Sequence, residues 1–339
     1  MTSIMRREID QIPQVAASLL SHQAALDTVG KALRERDPAV VVTIARGSSD
    51  HAAYFLKYAI ELELGIPVAS LGPSLSSIYQ VPLKLDRAAA IAVSQSGASP
   101  DIVSLARSAR DGGALTIALA NTLPSPLTEA ASLAVDIAAG PEIAVAATKS
   151  FVNSIVTGLA ILAAWKGDAA LARAVQDLPN QLGRALSLDW SMLVEPLSSA
   201  DSLYMLGRGP TLAIASEAAL KCKETCELHA EAYSSAEVLH GPVSLVADSF
   251  PIIAFAARDK TEASIAETAS KMAAKKASVY LTSSEGDGPT TLPFVETGHP
   301  LTDALCLIIP YYGMVEALSR SRGFDPDKPA ALKKVTETQ

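Results

Sequence analysis

Cysteine is nearly absent. Cys222, Cys226 and Cys306 are the only three in 339 residues, an odd number without framework spacing, which excludes a disulfide-stapled secreted scaffold and points to a reducing compartment. Aromatics make up only 5% while alanine is abundant, a balance that suits α/β layers better than an all-β sandwich. Positive charge is also short: 28 Lys and Arg face 36 Asp and Glu, a net charge of −8. No basic stripe is left for nucleic acid. The longest apolar run, near "IVTGLAILAAW", is too short for a bilayer, and the charged "MTSIMRREIDQIPQ" lacks the apolar core of a secretory signal. The expectation is a soluble, cytoplasmic chain with no nucleic-acid partner and no membrane association.

What is present is apolar bulk. Hydrophobic residues reach 49% and the length exceeds one ordinary domain, so two packed units are expected. Residues 5 to about 35 have helical spacing, with a boundary at Asp37-Pro38. "AVVVTIA" reads as a buried parallel strand, followed by the loop "RGSSDH" and the helix "AAYFLKYAIELEL". A short strand "VASL", a strand "AAAIAVS", a helix over 100–112 and a strand "ALTIALAN" follow. Alternation of this kind predicts a doubly wound parallel sheet. The second half repeats it: Arg208-Gly209 stand 162 residues after Arg46-Gly47 (208 − 46), and Val279 stands 162 after Ile117 (279 − 117). "FPIIAFA" takes the place of "AAAIAVS" to within about a residue. Two copies of one α/β unit, joined by a helical stretch around 165–197, account for the shared spacing.

Ligands of open parallel sheets gather at strand carboxyl ends, where "RGSS" and "SQSGAS" fall. Ser99, Pro100 and Asp101 suit the N-cap and first turn of a helix whatever the function. Ser94, Gln95 and Ser96 precede that cap and are not needed for it. Neutral hydroxyls, a glycine and free helix-start N–H groups suit a phosphate without any lysine. In "PEIAVAATKSF", Thr148 and Lys149 are further candidate donors, although a helix cap explains Thr148 almost as well.

The densest charge lies in "SEAALKCKETCELHAEAYSSAEVLH". Glu217, Lys221 and Glu224 share one helical face, which fits either an exposed ion-paired helix or charges turned into a cleft, with Ala218, Ala219, Leu220 and Cys222 around them. Cys222, Cys226 and His229 lack the separated ligand pairs of structural zinc sites. Buried thiols packing as small hydrophobes fit better, and no metal is expected.

"SQSG", "EIAVAATKSF", "ALKCKETCELHAEAY", "EVLHGP" and "DPDKPAALKKVTET" resemble the sugar isomerase (SIS) domain family. The likeness is closest to the isomerase half of the glutamine–fructose-6-phosphate aminotransferases and to the stand-alone SIS-type glucosamine-6-phosphate deaminases. It implies two tandem SIS subdomains, each a five-stranded parallel sheet flanked by helices, in a homodimer with sites near the interface. The boundaries expected are a helical segment 1–34, subdomains over 35–165 and 198–323 around a helical linker 166–197, and a tail 324–339 closing the site. The aminotransferases open with a glutaminase domain bearing a nucleophilic Cys. Thr2 and the absence of Cys before Cys222 lead to the expectation that this chain does not hydrolyse glutamine that way.

The resemblance further implies that Ser49, Ser94, Gln95, Ser96 and Ser99 hold the phosphate of a small-molecule sugar phosphate, and that Val145 and Ala147 touch the sugar. Ala147 stands where the family usually has Ser, and Ala98 where it has Glu. Glu224 matches the base working between C1 and C2, His240 the ring-opening acid/base given by a neighbouring subunit, and Lys334 the tail lysine at the open-chain carbonyl. Glu217 and Lys221 match supporting charges. Ring opening needs a group that exchanges protons near neutral pH, and C2 deprotonation needs a carboxylate near both carbons, with a lysine to steady developing negative charge. No cofactor is required. The expected reaction converts glucosamine 6-phosphate and water to fructose 6-phosphate and ammonium. The alternatives are ammonia-dependent synthesis of glucosamine 6-phosphate, action on galactosamine 6-phosphate or fructoselysine 6-phosphate, and a non-catalytic sugar-phosphate sensor.

Overall fold

A computed structural model describes residues 2–332 and Lys334. Its internal contacts divide the chain into two units. One comprises Ile12–Glu142 and Lys149–Pro179, and Lys334 belongs with it; the other comprises Met1–Gln11, Ile143–Thr148 and Asn180–Leu332.

The first-sheet unit is built on β1 (Val40–Ile44), β2 (Val68–Ser70), β3 (Ala88–Ser94), β4 (Leu115–Ala120) and β5 (Leu133–Asp136), all parallel, in the order β2-β1-β3-β4-β5. Near-continuous burial of β1 and β3 follows from helices on both faces. Val42, Ile44, Ala90 and Ala118 meet the helix Pro100–Asp111. Their alternates Ile91, Ile117 and Leu119 meet Leu33, Leu56 and Ile161, from helices Gln23–Arg36, Ser48–Leu64 and Lys149–Lys166.

The second-sheet unit carries β6 (Ser202–Gly207), β7 (His229–Ser234), β8 (Pro251–Ala254), β9 (Ser278–Leu281) and β10 (Thr290–Thr291), parallel in the order β10-β9-β8-β6-β7. Read by position, this is the same topology. Tyr204, Leu206, Ile252 and Ala254 form a core with the helix Glu262–Ala274. The helix Ile308–Ser321 meets Pro210–Cys226, where Tyr311 Oη donates to the Ala218 carbonyl at 2.6 Å. Pro300–Ser321 is long and apolar enough to cross a membrane by composition, but 89% of its most apolar 18-residue window is buried inside the protein.

The repeat holds at backbone level. Helices Ser48–Leu64 and Pro210–Cys226 each have 17 residues, with starts and ends both 162 apart (210 − 48, 226 − 64). Each follows a glycine in a conformation that side chains resist: Gly47 at φ 56°, ψ −133° and Gly209 at φ 63°, ψ −137°. Each ends on a left-handed residue, Gly65 in one and Glu227 in the other. Ser-Leu-Tyr-Met-Leu-Gly and Val-Val-Val-Thr-Ile therefore lead into the same strand–turn–helix element.

Candidate active site

In the first-sheet unit the strand order reverses between neighbouring β1 and β3, the place where such sheets leave a crevice. The two loops singled out from sequence emerge there. Ser49 lies in the first turn of Ser48–Leu64. Ser94 ends β3, and Gln95, Ser96 and Gly97 lead to Ser99, the residue before the helix Pro100–Asp111. The Gly97 N–H donates to Ser94 Oγ at 3.1 Å, and the Ala98 N–H to Ser96 Oγ at 3.3 Å. Each hydroxyl thus folds the loop as an acceptor while keeping its own O–H to donate. Gly97 has φ +63°, and a Cβ there would come within 2.2 Å of Ser125 Oγ. Ser99 sits at the N-cap but makes no side-chain cap hydrogen bond, so its hydroxyl is not spent on the helix. Half-burial of Ser49, Ser94, Gln95, Ser96 and Ser99 leaves them accessible to an anion.

The loop pair is less purely neutral than its sequence suggests. Arg46, at the end of β1, ion-pairs with the fully buried Asp101 carboxylate. That contact ties the "RGSS" loop to the start of the second helix. Asp50, beside Ser49, has its carboxyl pushed up by burial, with His51 opposing.

In the second-sheet unit, Glu217, Lys221 and Glu224 stand on one face of Pro210–Cys226, as their spacing requires. Lys221 Nζ hydrogen-bonds Glu224 Oε2 and lies 3.4 Å from Glu217 Oε1. Tyr312 Oη donates to Glu217 Oε1 at 3.1 Å. The Lys221 and Glu217 side chains are wholly buried, whereas Glu224 keeps 22% of its surface exposed. Of the two readings left open for this face, the buried one is the structure's. One ammonium sits between two carboxylates, and Glu224 is the carboxylate left accessible.

The cysteines behind that face are inert. Burial pushes the Cys222 thiol up to about 12 and the Cys226 thiol up to about 11. Cys222 Sγ meets Tyr311 Oη at 3.1 Å, Cys226 Sγ meets the Val315 carbonyl at 3.6 Å, and His229 Nδ1 meets Ser202 Oγ at 3.2 Å. The three groups weighed as metal ligands are each committed to a different partner.

His240 closes a 3-10 turn, Glu237–His240, and is exposed. Leu239 and Leu245 close by in sequence are 40% and 66% exposed. Val145 and Ala147 lie on an irregular, bent strip where burial alternates: Ala144, Ala146 and Thr148 are buried, Val145 and Ala147 half-exposed. Lys149 begins the following helix and is buried, so neither Thr148 nor Lys149 presents itself to solvent. Lys334 Nζ, in the first-sheet unit, lies 3.4 Å from Glu142 Oε2. Of the tail expected to be ordered to Gln339, Lys333 and residues 335–339 lie outside the described residues.

The structure thus brings together Ser49 with the Ser94–Ser99 loop at one pair of strand ends, and Glu217, Lys221 and Glu224 on one helix. Sequence reasoning missed Arg46, Tyr312 and Glu142. Arg46 left a trace as the head of one copy of the repeat, opposite Arg208, and Glu142 as a residue of "PEIAVAATKSF".

Two strand–helix repeats of one topology, each on a five-stranded parallel sheet, define an α/β protein built from two doubly wound units. Comparison with known proteins makes that specific. The SIS domain family profile matches residues 36–164 and 196–290, and the chain belongs to that family. Among curated proteins it is 33% identical, over 97% of its length, to a glutamine–fructose-6-phosphate aminotransferase (isomerizing) of Symbiobacterium thermophilum, and it spans 58% of that relative. A solved candidate phosphosugar isomerase from Silicibacter pomeroyi DSS-3 is 52% identical, with a TM-score of 0.93 over 96% of this chain and 100% of that one. The C-terminal domain of glucosamine-fructose-6-phosphate aminotransferase from Francisella tularensis superposes with a TM-score of 0.85 at 25% identity, over 97% and 99% of the two chains.

Proposed function

We propose that this chain is an isomerising aminosugar-phosphate deaminase, converting glucosamine 6-phosphate and water to fructose 6-phosphate and ammonium. The observation that carries the reading is the arrangement around Lys221: two buried charges hold a third, Glu224, at the accessible end of the set. Desolvating such charges is costly. A fixed, partly open carboxylate is what proton transfer between adjacent carbons requires.

In this reading the hydroxyls of Ser49, Ser94, Ser96 and Ser99 and the Gln95 amide take the 6-phosphate, and the two helix starts add partial positive charge. His240 moves the proton between O1 and O5 that opens the pyranose to its C1 aldehyde. Glu224 removes the C2 proton; the electron pair forms a C1–C2 double bond and charge develops on O1, which Lys334 steadies. The protonated Glu224 returns the proton to C1 while O1 takes up a proton from solvent, leaving a C1 hydroxymethyl beside a C2 iminium. Water adds at C2, the C–N bond breaks, and ammonium departs from the ketone.

Free ammonia rather than glutamine fits the chain's thiols, because Cys222, Cys226 and Cys306 are all buried and none is an exposed nucleophile. The similarity to isomerizing aminotransferases favours a second direction on the same groups, synthesis of glucosamine 6-phosphate from fructose 6-phosphate and ammonia. The deciding experiment incubates purified protein with glucosamine 6-phosphate, galactosamine 6-phosphate and fructoselysine 6-phosphate and assays ammonium and ketose phosphate. The expected result is equimolar ammonium and fructose 6-phosphate from the first. Absence of release from it contradicts the reading, and faster synthesis than release at physiological ammonia favours the second.

A further inference from the structure

We propose that the short N-terminal helix Ile4–Asp10 belongs to the substrate site, acting through two positioning residues, Glu8 and Asp327. This rests on the proposed function and on reading Val145 and Ala147 as sugar-contacting, as the family resemblance implies.

Ile143–Thr148 is neither helix nor strand, so no ladder takes its N–H groups, and buried N–H groups need partners. The Ile143 N–H donates to Glu8 Oε1, and the Ala144 N–H to Glu8 Oε2 at 3.3 Å. The next N–H, of Val145, donates to the Asp327 carbonyl at 3.2 Å. Three consecutive amides are therefore held by two residues distant in sequence. Glu8 is buried, which makes the pair of hydrogen bonds it accepts from the strip hard to replace by water.

The two holders are themselves joined. The Asp327 carboxylate accepts the N–H groups of Ile4 at 2.8 Å and Met5 at 2.7 Å, capping the helix that carries Glu8 one turn on. Ser3 Oγ donates to Glu316 Oε1 at 2.7 Å and accepts the Arg6 N–H at 3.0 Å, fastening the same helix start to Ile308–Ser321. Strip, Glu8, helix and Asp327 form one closed ring of hydrogen bonds, charge-assisted at the two carboxylates and closed by the neutral Val145 N–H to Asp327 carbonyl bond. Such a ring has no use for the fold of either sheet. Its effect is to fix the pitch of a strip whose exposed positions include Val145 and Ala147. A displacement of about 1 Å there is enough to spoil sugar contacts.

The test uses the full chain with Glu8→Gln and Asp327→Asn, near-isosteric changes that each remove a charged acceptor. Calorimetry with fructose 6-phosphate and with inorganic phosphate separates sugar contact from phosphate grip. Each variant is expected to bind fructose 6-phosphate about tenfold more weakly, the scale of one charged hydrogen bond, with inorganic phosphate affinity unchanged and KM rising more than kcat falls. Unchanged fructose 6-phosphate affinity in folded variants overturns the proposal, as does an equal loss for both ligands. Amide exchange of the 143–148 segment in the unaltered chain gives a second reading that no folding failure can obscure. Greater protection by fructose 6-phosphate than by inorganic phosphate supports the proposal, and equal protection overturns it. Failure of the unaltered chain to bind fructose 6-phosphate at all defeats the functional reading itself, an outcome distinct from these.

Discussion

Lys334 Nζ lies 3.4 Å from Glu142 Oε2, and the same carboxylate receives the Ser150 N–H at 3.0 Å and Ser150 Oγ at 2.6 Å. Glu142 is fully buried while Lys334 keeps 26% of its side chain exposed. A fixed carboxylate therefore tethers a lysine that still faces outward, two residues after Leu332. An ammonium on a long stem, held at its side rather than buried, can give a hydrogen bond to a ligand and keep its ion pair.

Replacing Lys334 with Met is expected to lower kcat by about 10²–10³-fold, the range of one electrostatic donor. The unfolding midpoint should hardly move, because a partly exposed pair contributes at most about 1 kcal/mol. Steady-state kinetics and urea unfolding on one preparation check both halves. Lys334→Arg should not restore turnover, since a planar fork does not place its charge where an ammonium does.

Lys221 and Glu224 should part company in the opposite sense. Lys221→Met leaves Glu217 buried without its ammonium and is expected to cost about 3–5 kcal/mol of stability. Glu224→Gln, at a partly exposed position, should cost about 1 kcal/mol or less while turnover falls by about 10²–10⁴-fold. Urea titration with ammonium-release kinetics tests the contrast, and equal stability losses would contradict the division of roles.

Gly97 and Gly65 offer a matched pair. Both have positive φ, +63° and +69°, but a Cβ at Gly97 meets Ser125 Oγ at 2.2 Å whereas at Gly65 nothing lies within 4 Å. Each Ala substitution should cost about 1–2 kcal/mol from the left-handed backbone alone. Only Gly97→Ala should also weaken phosphate affinity, by about tenfold, since it displaces the loop that carries Ser94 and Ser96. Isothermal titration with inorganic phosphate separates the two.

Alkaline pH should unfold this chain through its buried thiols. In the unfolded chain a cysteine ionises near 9.0, whereas burial holds Cys222 up to about 12 and Cys226 up to about 11. Between those values the folded chain binds more protons than the unfolded one, so stability is fully present below about pH 9 and lost as pH rises through the window. Thermal midpoints measured from pH 8 to 11 should fall, and the Cys222→Ala, Cys226→Ala double variant should show a shallower slope even where its absolute stability is lower.

Much of the fold could be read because the duplication kept its spacing. Arg46-Gly47 and Arg208-Gly209 head helices of equal length at a constant 162-residue offset, and apolar strands such as "AAAIAV" announce burial on both faces. The outer strands of the second sheet were not legible. β10 is two exposed threonines and β7, "HAEAYS", alternates polar residues at a sheet edge, so neither carries a hydrophobic run. Within the candidate site, Glu217, Lys221 and Glu224 were legible because helical spacing puts them on one face. That the face is buried depended on Tyr312, 95 residues away, which local pattern cannot show. Arg46 with Asp101 and Lys334 with Glu142 escaped for the same reason: each pair joins segments that only the tertiary fold brings together.

The most direct test follows the hydrogen itself. Glucosamine 6-phosphate deuterated at C2 is given to the unaltered chain and to Glu224→Gln, and the fructose 6-phosphate formed is analysed by NMR. The account predicts deuterium partly carried to C1 and partly exchanged with solvent in the first case, slowed by a primary isotope effect, with sugar phosphate still bound but no product in the second. Ammonium release that leaves C2 deuterium in place, or full turnover by the glutamine variant, would contradict it.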